Sequence, residues 1–347
     1  MQNWIETRGA HEPRTAVVDP DRCVLAIAIE ASCRACVEIC PREAFIDGVD
    51  ALRFDTEACD GCAICVAACP RGAIAIERTA IAISPNDARI GFAACEQAAG
   101  RSKKGVMPCL HAIGLDELAQ LYSEGLRRLY LTYGNCVPCK PLLKTKMDAT
   151  LDRLKRLLAD RDLEPLNVVT MGGMEWERAL AEHLAPSRRG LLNLFRPSGI
   201  EQNSNRQQTV KAAGILRAGN SAEPLNPFHP KIDPSACNGC NACARICPEA
   251  AIEVIDQGTG RASYSVRSSL CSGCGLCTDV CDRGAVSVGR WQRGGIAAIR
   301  LDSRQCSRCG NVFHYPMGHA PEQGSAQSLC RICAGTKPNK HLFQIIE

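Results

Sequence analysis

Large aromatic side chains are scarce here: Phe, Trp and Tyr together supply 4% of 347 residues. That is little apolar bulk for the two or three cores a chain of this length implies. No apolar run approaches the roughly 18–20 residues that cross a bilayer, so no membrane span is expected. No Gly-x-Gly-x-x-Gly follows a predicted strand and no phosphate loop occurs, which excludes the common nucleotide-binding enzymes. Nothing resembles a carboxylate pair or a catalytic triad, so the chain alone is not expected to turn over an organic substrate. Residues 1–14 are polar and mixed in charge, without the apolar stretch of a secretory leader. A reducing, cytoplasmic setting is the expectation.

What the chain has is cysteine. All 24 fall into six groups of four. That leaves no odd thiol for a nucleophile and no surplus for disulfides. The formal charge of +4 counts every thiol as neutral. Four thiolates around a cationic core of about two charges give each site about −2, so the loaded protein sits near −8. A basic nucleic-acid binder is therefore not expected. Residues 1–80 carry 8 Lys/Arg against 13 Asp/Glu, while 186–230 carry 6 against 2. An acidic head of this kind attracts a basic redox partner at long range. With so thin a polypeptide core, bound metal is expected to supply much of the folding energy.

Residues 231–295 hold Cys237-x2-Cys240-x2-Cys243-x3-Cys247-Pro248 and Cys271-x2-Cys274-x2-Cys277-x3-Cys281. Three thiolates at i, i+3 and i+6 wrap three corners of one cubane. The fourth is expected to begin a helix pointing the other way and to reach the neighbouring cluster. The assignment is Cys237, Cys240, Cys243 and Cys281 to one [4Fe–4S] cluster, and Cys271, Cys274, Cys277 and Cys247 to a second. Gly239, Gly273 and Gly275 let the backbone close in. Short β runs follow each ladder at 251–254 and 285–288. The segment resembles the bacterial two-cluster ferredoxins. Asp282 departs from their usual proline and is expected to perturb that turn but not the ligation.

Residues 1–80 repeat the plan. Cys59-x2-Cys62-x2-Cys65-x3-Cys69-Pro70 is complete, whereas Cys33-x2-Cys36-x3-Cys40-Pro41 lacks its leading cysteine. Cys23 is the candidate, separated from Cys33 by an apolar insert, 24–32, expected to loop out. Cys23, Cys33, Cys36 and Cys69 are assigned to one cubane, and Cys59, Cys62, Cys65 and Cys40 to its neighbour. The alternative for Cys23 is a buried free thiol beside a three-iron or labile cluster.

Between them, residues 81–185 alternate strand and helix, which implies a small parallel α/β sheet. Predicted strands cover 89–95, 105–109, 128–133 and 167–171. Predicted helices cover 115–123, 141–158 and 175–184. Cys95, Cys109, Cys136 and Cys139 all fall at carboxyl ends of strands, the edge that usually bears the site. Cys95, the Val106-Met107-Pro108-Cys109 turn, Gly114-Leu115-Asp116-Glu117-Leu118 and the Gly134-Asn135-Cys136-Val137-Pro138-Cys139 loop carry a further resemblance. They are similar to the small iron–sulphur subunit of methyl-viologen-reducing hydrogenases, a domain also fused to heterodisulfide-reductase-like proteins. The resemblance implies a [2Fe–2S] cluster on those four cysteines; a structural zinc is the alternative. His111 reads as a ligand, a proton partner or an ordinary neighbour of the site.

Residues 186–230, rich in polar residues and proline, read as a linker with one short helix near 206–216, or as a basic docking strap. In 296–347, Cys306-x2-Cys309 and Cys330-x2-Cys333 have zinc-ribbon spacing. Zinc is expected, with a rubredoxin-like single iron as the alternative and His314 and His319 as spare ligands.

The expected fold class is thus a multidomain α+β and α/β chain. It has two ferredoxin-like dicluster modules, a small parallel α/β [2Fe–2S] domain and a zinc-ribbon-like tail. Expected cofactors are four [4Fe–4S] clusters, one [2Fe–2S] cluster and one Zn2+ or single iron. The expected function is electron transfer between a redox enzyme and another carrier. The enzyme would be a hydrogenase, a formate dehydrogenase or a heterodisulfide-reductase-like flavoprotein. The alternative is an accessory or maturation protein for such a metalloenzyme.

Overall fold

A computed structural model describes residues 15–47, 52–136, 146–185, 211–216, 221–256, 262–319 and 329–335. The chain forms two compact units, one within 1–29 and 33–224, the other within 30–32 and 225–347.

The first unit begins with β1 (Val17–Val18), α1 (Val24–Ile27), α2 (Ala35–Ile39), β2 (Phe45–Asp47), β3 (Leu52–Phe54), α3 (Ile64–Ala68) and β4 (Ile74–Ala75). The first strand pairs with the last, and β2 and β3 form a hairpin between them. The core of this module is small. Cys36, Cys40 and Cys65 are buried together with Ala44, Ala63, Phe45 and Ile74. The thiols are thus part of the packing, as the shortage of large apolar residues requires. The insert after Cys23 starts as a helical turn, with Val24 buried.

The same unit continues with β5 (Ala82–Ile83), β6 (Ile90–Cys95), β7 (Val106–Met107), α4 (Leu115–Ser123), β8 (Arg128–Thr132), α5 (Lys146–Asp160), β9 (Asn167–Thr170), α6 (Gly173–Leu184) and α7 (Ala212–Ile215). Strands β7, β8 and β9 run parallel to their neighbours, and β5 adds an antiparallel edge. Asp116 and Glu117 in the first turn of α4 oppose the positive end of its dipole. Trp176 of α6 is fully buried, meets Phe92 edge-on at 6.2 Å and donates its indole N–H to the Tyr130 carbonyl at 3.1 Å. Trp176→Ala leaves a cavity where the indole stood. It is expected to lower the stability of this domain by about 3–5 kcal/mol, seen as an earlier urea midpoint by far-UV circular dichroism.

The segment expected to be linker is docked at both of its described stretches. In the first unit, Ala212, Ala213 and Leu216 are buried. Buried Arg161 donates to the carbonyls of Leu216 and Ala213, while Ala212 N–H and Lys211 reach Asp116. In the second unit, 225–230 belongs to a strand, β10 (Leu225–Ile232). Its prolines hid it. Pro230 is tolerated because β10 is hydrogen-bonded on one side only and the register puts its nitrogen on the free edge, while Pro227 sits at a gap in the pairing between Asn226↔Gln292 and Phe228↔Arg290.

The second unit goes on with α8 (Ala242–Ile246), β11 (Ile252–Asp256), β12 (Ala262–Arg267), α9 (Leu276–Asp279), β13 (Val286–Arg293), β14 (Ile296–Gln305), β15 (Val312–Pro316) and α10 (Arg331–Gly335). The plan of residues 15–75 recurs: the outer strands β10 and β13 pair antiparallel, and β11 and β12 form the inner hairpin. Here the hairpin extends into a four-stranded sheet, β11-β12-β14-β15. The first strand of the tail is therefore hydrogen-bonded to the dicluster module, across the boundary expected at 295/296. Among the described residues, no helix is long and apolar enough to cross a membrane.

Candidate metal centres

Within each module several of the ladder thiols lie close enough to act on one another. Burial, and then the charges of Cys33 and Cys69, push the Cys36 thiol up to about 12. Burial, followed by Cys40 and Cys59, does the same to Cys65. In the second unit Cys243 is raised to about 12 by burial and then by Cys237 and Cys240, with Cys281 also acting on it. Cys277 is raised to about 12 by burial and then by Cys271, Cys274 and Cys247. Cys247, Cys271, Cys274 and Cys277 together line one cavity. Within each module the two sets are adjacent: Cys36 acts on Cys65, and Cys243 on Cys277. Buried neutral thiols pressed together are the donor set a cluster takes up, because metal binding removes the protons that burial holds on.

One expectation about these ladders is corrected. The fourth cysteine of a ladder ends a helix: Cys40, Cys69 and Cys247 are the C-caps of α2, α3 and α8. The proline that follows each of them forces the cysteine out of the helical region, with ψ of 117°, 115° and 106°.

A turn then brings the amide four residues on back to the sulphur. Ala44, Ala73, Ala251 and Ala285 donate N–H to Cys40, Cys69, Cys247 and Cys281 Sγ at 3.4, 3.2, 3.2 and 3.2 Å. The residue before each alanine has positive φ: Glu43 54°, Gly72 57°, Ala250 50° and Gly284 59°. At Cys281, where Asp282 replaces proline, the returning amide is kept but the helix end differs: Val280 is the C-cap of α9, and the Cys281 N–H donates to the Thr278 carbonyl, whereas the Cys40 and Cys69 N–H groups donate to the Cys36 and Cys65 carbonyls. The perturbation expected from Asp282 thus falls on the helix end, and the left-handed residue and the amide keep the rest of the turn. Sequence reading missed this element. Its signal was the alanine at the fourth place after each last cysteine.

The incomplete ladder differs. Ala63, Asn241 and Gly275 start α3, α8 and α9 with positive φ, whereas Arg34, before α2, has φ −126°. Cys23 is the N-cap of α1. The thiols acting most on Cys36 are Cys33 and Cys69, and Cys23 is not among them.

In the middle domain, Cys95 closes β6, Cys109 lies two residues past β7 and Cys136 four past β8. All three line one pocket with His111, Tyr133 and Gly134. Cys139 lies outside the described residues, as does 141–145 of the expected helix. The Gly134 N–H donates to Cys95 Sγ at 2.9 Å. His111 is buried. Its Nδ1 accepts the Met147 N–H at 3.1 Å, and its Nε2 lies 3.8 Å from Cys136 Sγ. An acceptor Nδ1 places the ring proton on Nε2, facing that sulphur. Histidine thus serves this site as a neighbour holding a proton.

This pocket abuts the first module. Ala112, just past Cys109, is buried in that module's core. A Cβ on Gly114 would lie 3.4 Å from Ala67 of α3, and Arg78 pairs with Glu117 at 2.5 Å. Burial raises the Cys62 thiol, with smaller contributions from Asp60 and from Cys109.

In the tail, the sulphurs of Cys306, Cys309, Cys330 and Cys333 all lie within 4.8 Å of one another, with Cys309 and Cys330 at 3.8 Å. One tetrahedral ion with bonds of about 2.3 Å holds its sulphurs about 3.8 Å apart, so the spacing fits a single ion rather than a cluster. Amides of Cys330 and Cys309 lower the Cys306 thiol to about 6. Neither His314 nor His319 belongs to the group.

Two modules that each gather ladder cysteines in this way are those of an iron–sulphur protein of the electron-transfer type. Residues 31–74 and 230–288 each match a family model described as a 4Fe-4S dicluster domain. None of the curated proteins compared with the chain matches it. The chain therefore carries two ferredoxin-like 4Fe-4S dicluster domains within a mixed α/β architecture.

Proposed function

We propose that this chain is a cytoplasmic multi-cluster conduit passing electrons between a redox enzyme and another carrier. The carrying observation is the convergence of ladder thiols in two 4Fe-4S dicluster domains, with the middle pocket packed against the nearer one. Four [4Fe–4S] clusters would be held by Cys23, Cys33, Cys36 and Cys69; by Cys59, Cys62, Cys65 and Cys40; by Cys237, Cys240, Cys243 and Cys281; and by Cys271, Cys274, Cys277 and Cys247. When bound, such clusters accept and release single electrons.

Residues 81–185 form the third redox domain, with a [2Fe–2S] cluster on Cys95, Cys109, Cys136 and Cys139. Its resemblance to the hydrogenase small iron–sulphur subunit supports this. The same resemblance makes a hydrogenase, a formate dehydrogenase or a heterodisulfide-reductase-like flavoprotein the partner at this domain. Cys306, Cys309, Cys330 and Cys333 hold Zn2+ in a closed structural site, in preference to iron.

Iron, sulphide and zinc analysis of anaerobically purified protein tests this. About eighteen irons and one zinc per chain are expected, with several interacting S = 1/2 signals on reduction. Few irons, several zincs and no such signals would overturn the proposal. Stable co-purification with the redox enzyme is expected; capture of an immature enzyme alone would make the chain an accessory protein.

A further inference from the structure

The tail site and one ladder of the second unit meet through a few named atoms. The first pair of tail cysteines is the β14–β15 turn itself. Cys306 N–H donates to the Asn311 carbonyl and Gly310 N–H to the Cys306 carbonyl, both at 2.9 Å. His314 stands on β15, opposite Ser303 of β14. Its Nε2 lies 2.6 Å from Asn241 Oδ1, and the Tyr264 hydroxyl donates to that same oxygen at 2.7 Å. A carbonyl oxygen only accepts, so His314 Nε2 carries the proton and donates it.

Asn241 lies between Cys240 and Cys243 and is held at φ 64°. Ala63 and Gly275 start α3 and α9 in the same left-handed conformation, which asparagine adopts more readily than most residues. Gly239 in the same loop faces the His314 backbone so closely that a Cβ would stand 1.8 Å from the His314 oxygen. Tyr264 comes from β12, the strand that pairs with β14. The peptide between Cys237 and Cys243 is thus roofed by β15 and pinned by His314 through Asn241.

We infer that the terminal four-cysteine site is a clamp on the Cys237, Cys240, Cys243 and Cys281 centre. Its ion fixes the β14–β15 turn, and His314 is a positioning residue that orients the ligand loop and shields it from water. Hydrogen bonds and solvent access around the sulphurs are among the terms that set a centre's reduction potential. The clamp therefore acts on one centre of the four. The inference rests on the electron-transfer reading given above.

The test uses the full chain, purified without oxygen and followed by redox-poised paramagnetic resonance, with metal analysis throughout. A Cys243→Ser variant, by losing one signal, marks which belongs to this centre. His314→Ala is expected to keep its iron and zinc, to shift the potential of that signal and to leave the other clusters' signals in place. His314→Gln, which still presents an N–H donor, restores the original potential. Cys330→Ser, or brief chelation of the terminal ion from the unaltered protein, is expected to shift the same signal and to speed its bleaching in air several-fold. Unmoved signals in His314→Ala and after ion removal, or four signals moving together, overturn the clamp while leaving the electron-transfer reading intact. Absence of any cubane signal from the unaltered protein removes both.

Discussion

Gly239→Ala is expected to cost the protein one whole cluster. The new methyl carbon would stand 1.8 Å from the His314 oxygen and 2.6 Å from its carbonyl carbon. Both are backbone atoms of a paired strand, so no side chain can swing aside. Glycine here has φ +71°, and a left-handed alanine adds about 1–2 kcal/mol of strain. Either β15 lifts or the Cys237–Cys243 loop opens, and an open loop does not hold three corners of a cubane. Metal analysis should find about four irons fewer per chain, with one signal lost. Gly310→Ala is the control. It has a similar φ of +73° but no atom within 4 Å of the added carbon, so only the strain remains and full iron is expected.

Stripping the iron is expected to unfold both dicluster modules while the middle domain keeps its fold. In residues 15–75 the core is largely alanine, cysteine and a few larger side chains. Structural zinc in zinc-finger peptides contributes on the order of 10–16 kcal/mol, comparable with the whole stability of an ordinary domain, and a cubane ties the chain at as many points. The middle domain instead buries Trp176, Phe92, Leu129 and Leu131 completely. Circular dichroism should show the modules' share of structure vanish, while Trp176 emission stays that of a buried indole.

The pH dependence of reloading follows from the thiols. Cys36, Cys65, Cys243, Cys271 and Cys277 are pushed up to about 12, chiefly by burial. Below that value each is protonated and must lose its proton to ligate. Uptake therefore strengthens as pH rises through the neutral range. Reconstitution followed by iron content at several pH values checks this slope.

The ladders could be read from sequence because short covalent spacing dictates their geometry. Three cysteines three residues apart can face one object whatever surrounds them. The α/β domain could be read for a similar reason: apolar period and strand ends placed Cys95, Cys109 and Cys136 on one edge. What could not be read depends on long-range pairing or on backbone angles. Nothing near Ile296 announces that β14 will add to β12. Prolines at 227 and 230 argue against a strand unless the free edge and the gap in the pairing are known. Glu43 and Ala250 give no sign of positive φ, since glycine at 72 and 284 is the residue that signals it. The contact between His314 and Asn241 joins positions 73 residues apart, and only the sheet brings them together.

The four returning amides, from Ala44, Ala73, Ala251 and Ala285 to the last sulphur of each ladder, have a consequence for how this chain tolerates mutation. Each donor is main chain, so exchanging the side chain that carries it leaves the bond in place. Among single replacements at those alanines, only proline deletes the N–H. A feature written in the backbone drifts more slowly than the sequence that encodes it. The intervening residues of the four turns, Pro-Arg-Glu, Pro-Arg-Gly, Pro-Glu-Ala and Asp-Arg-Gly, already differ while the bond length varies by only 0.2 Å.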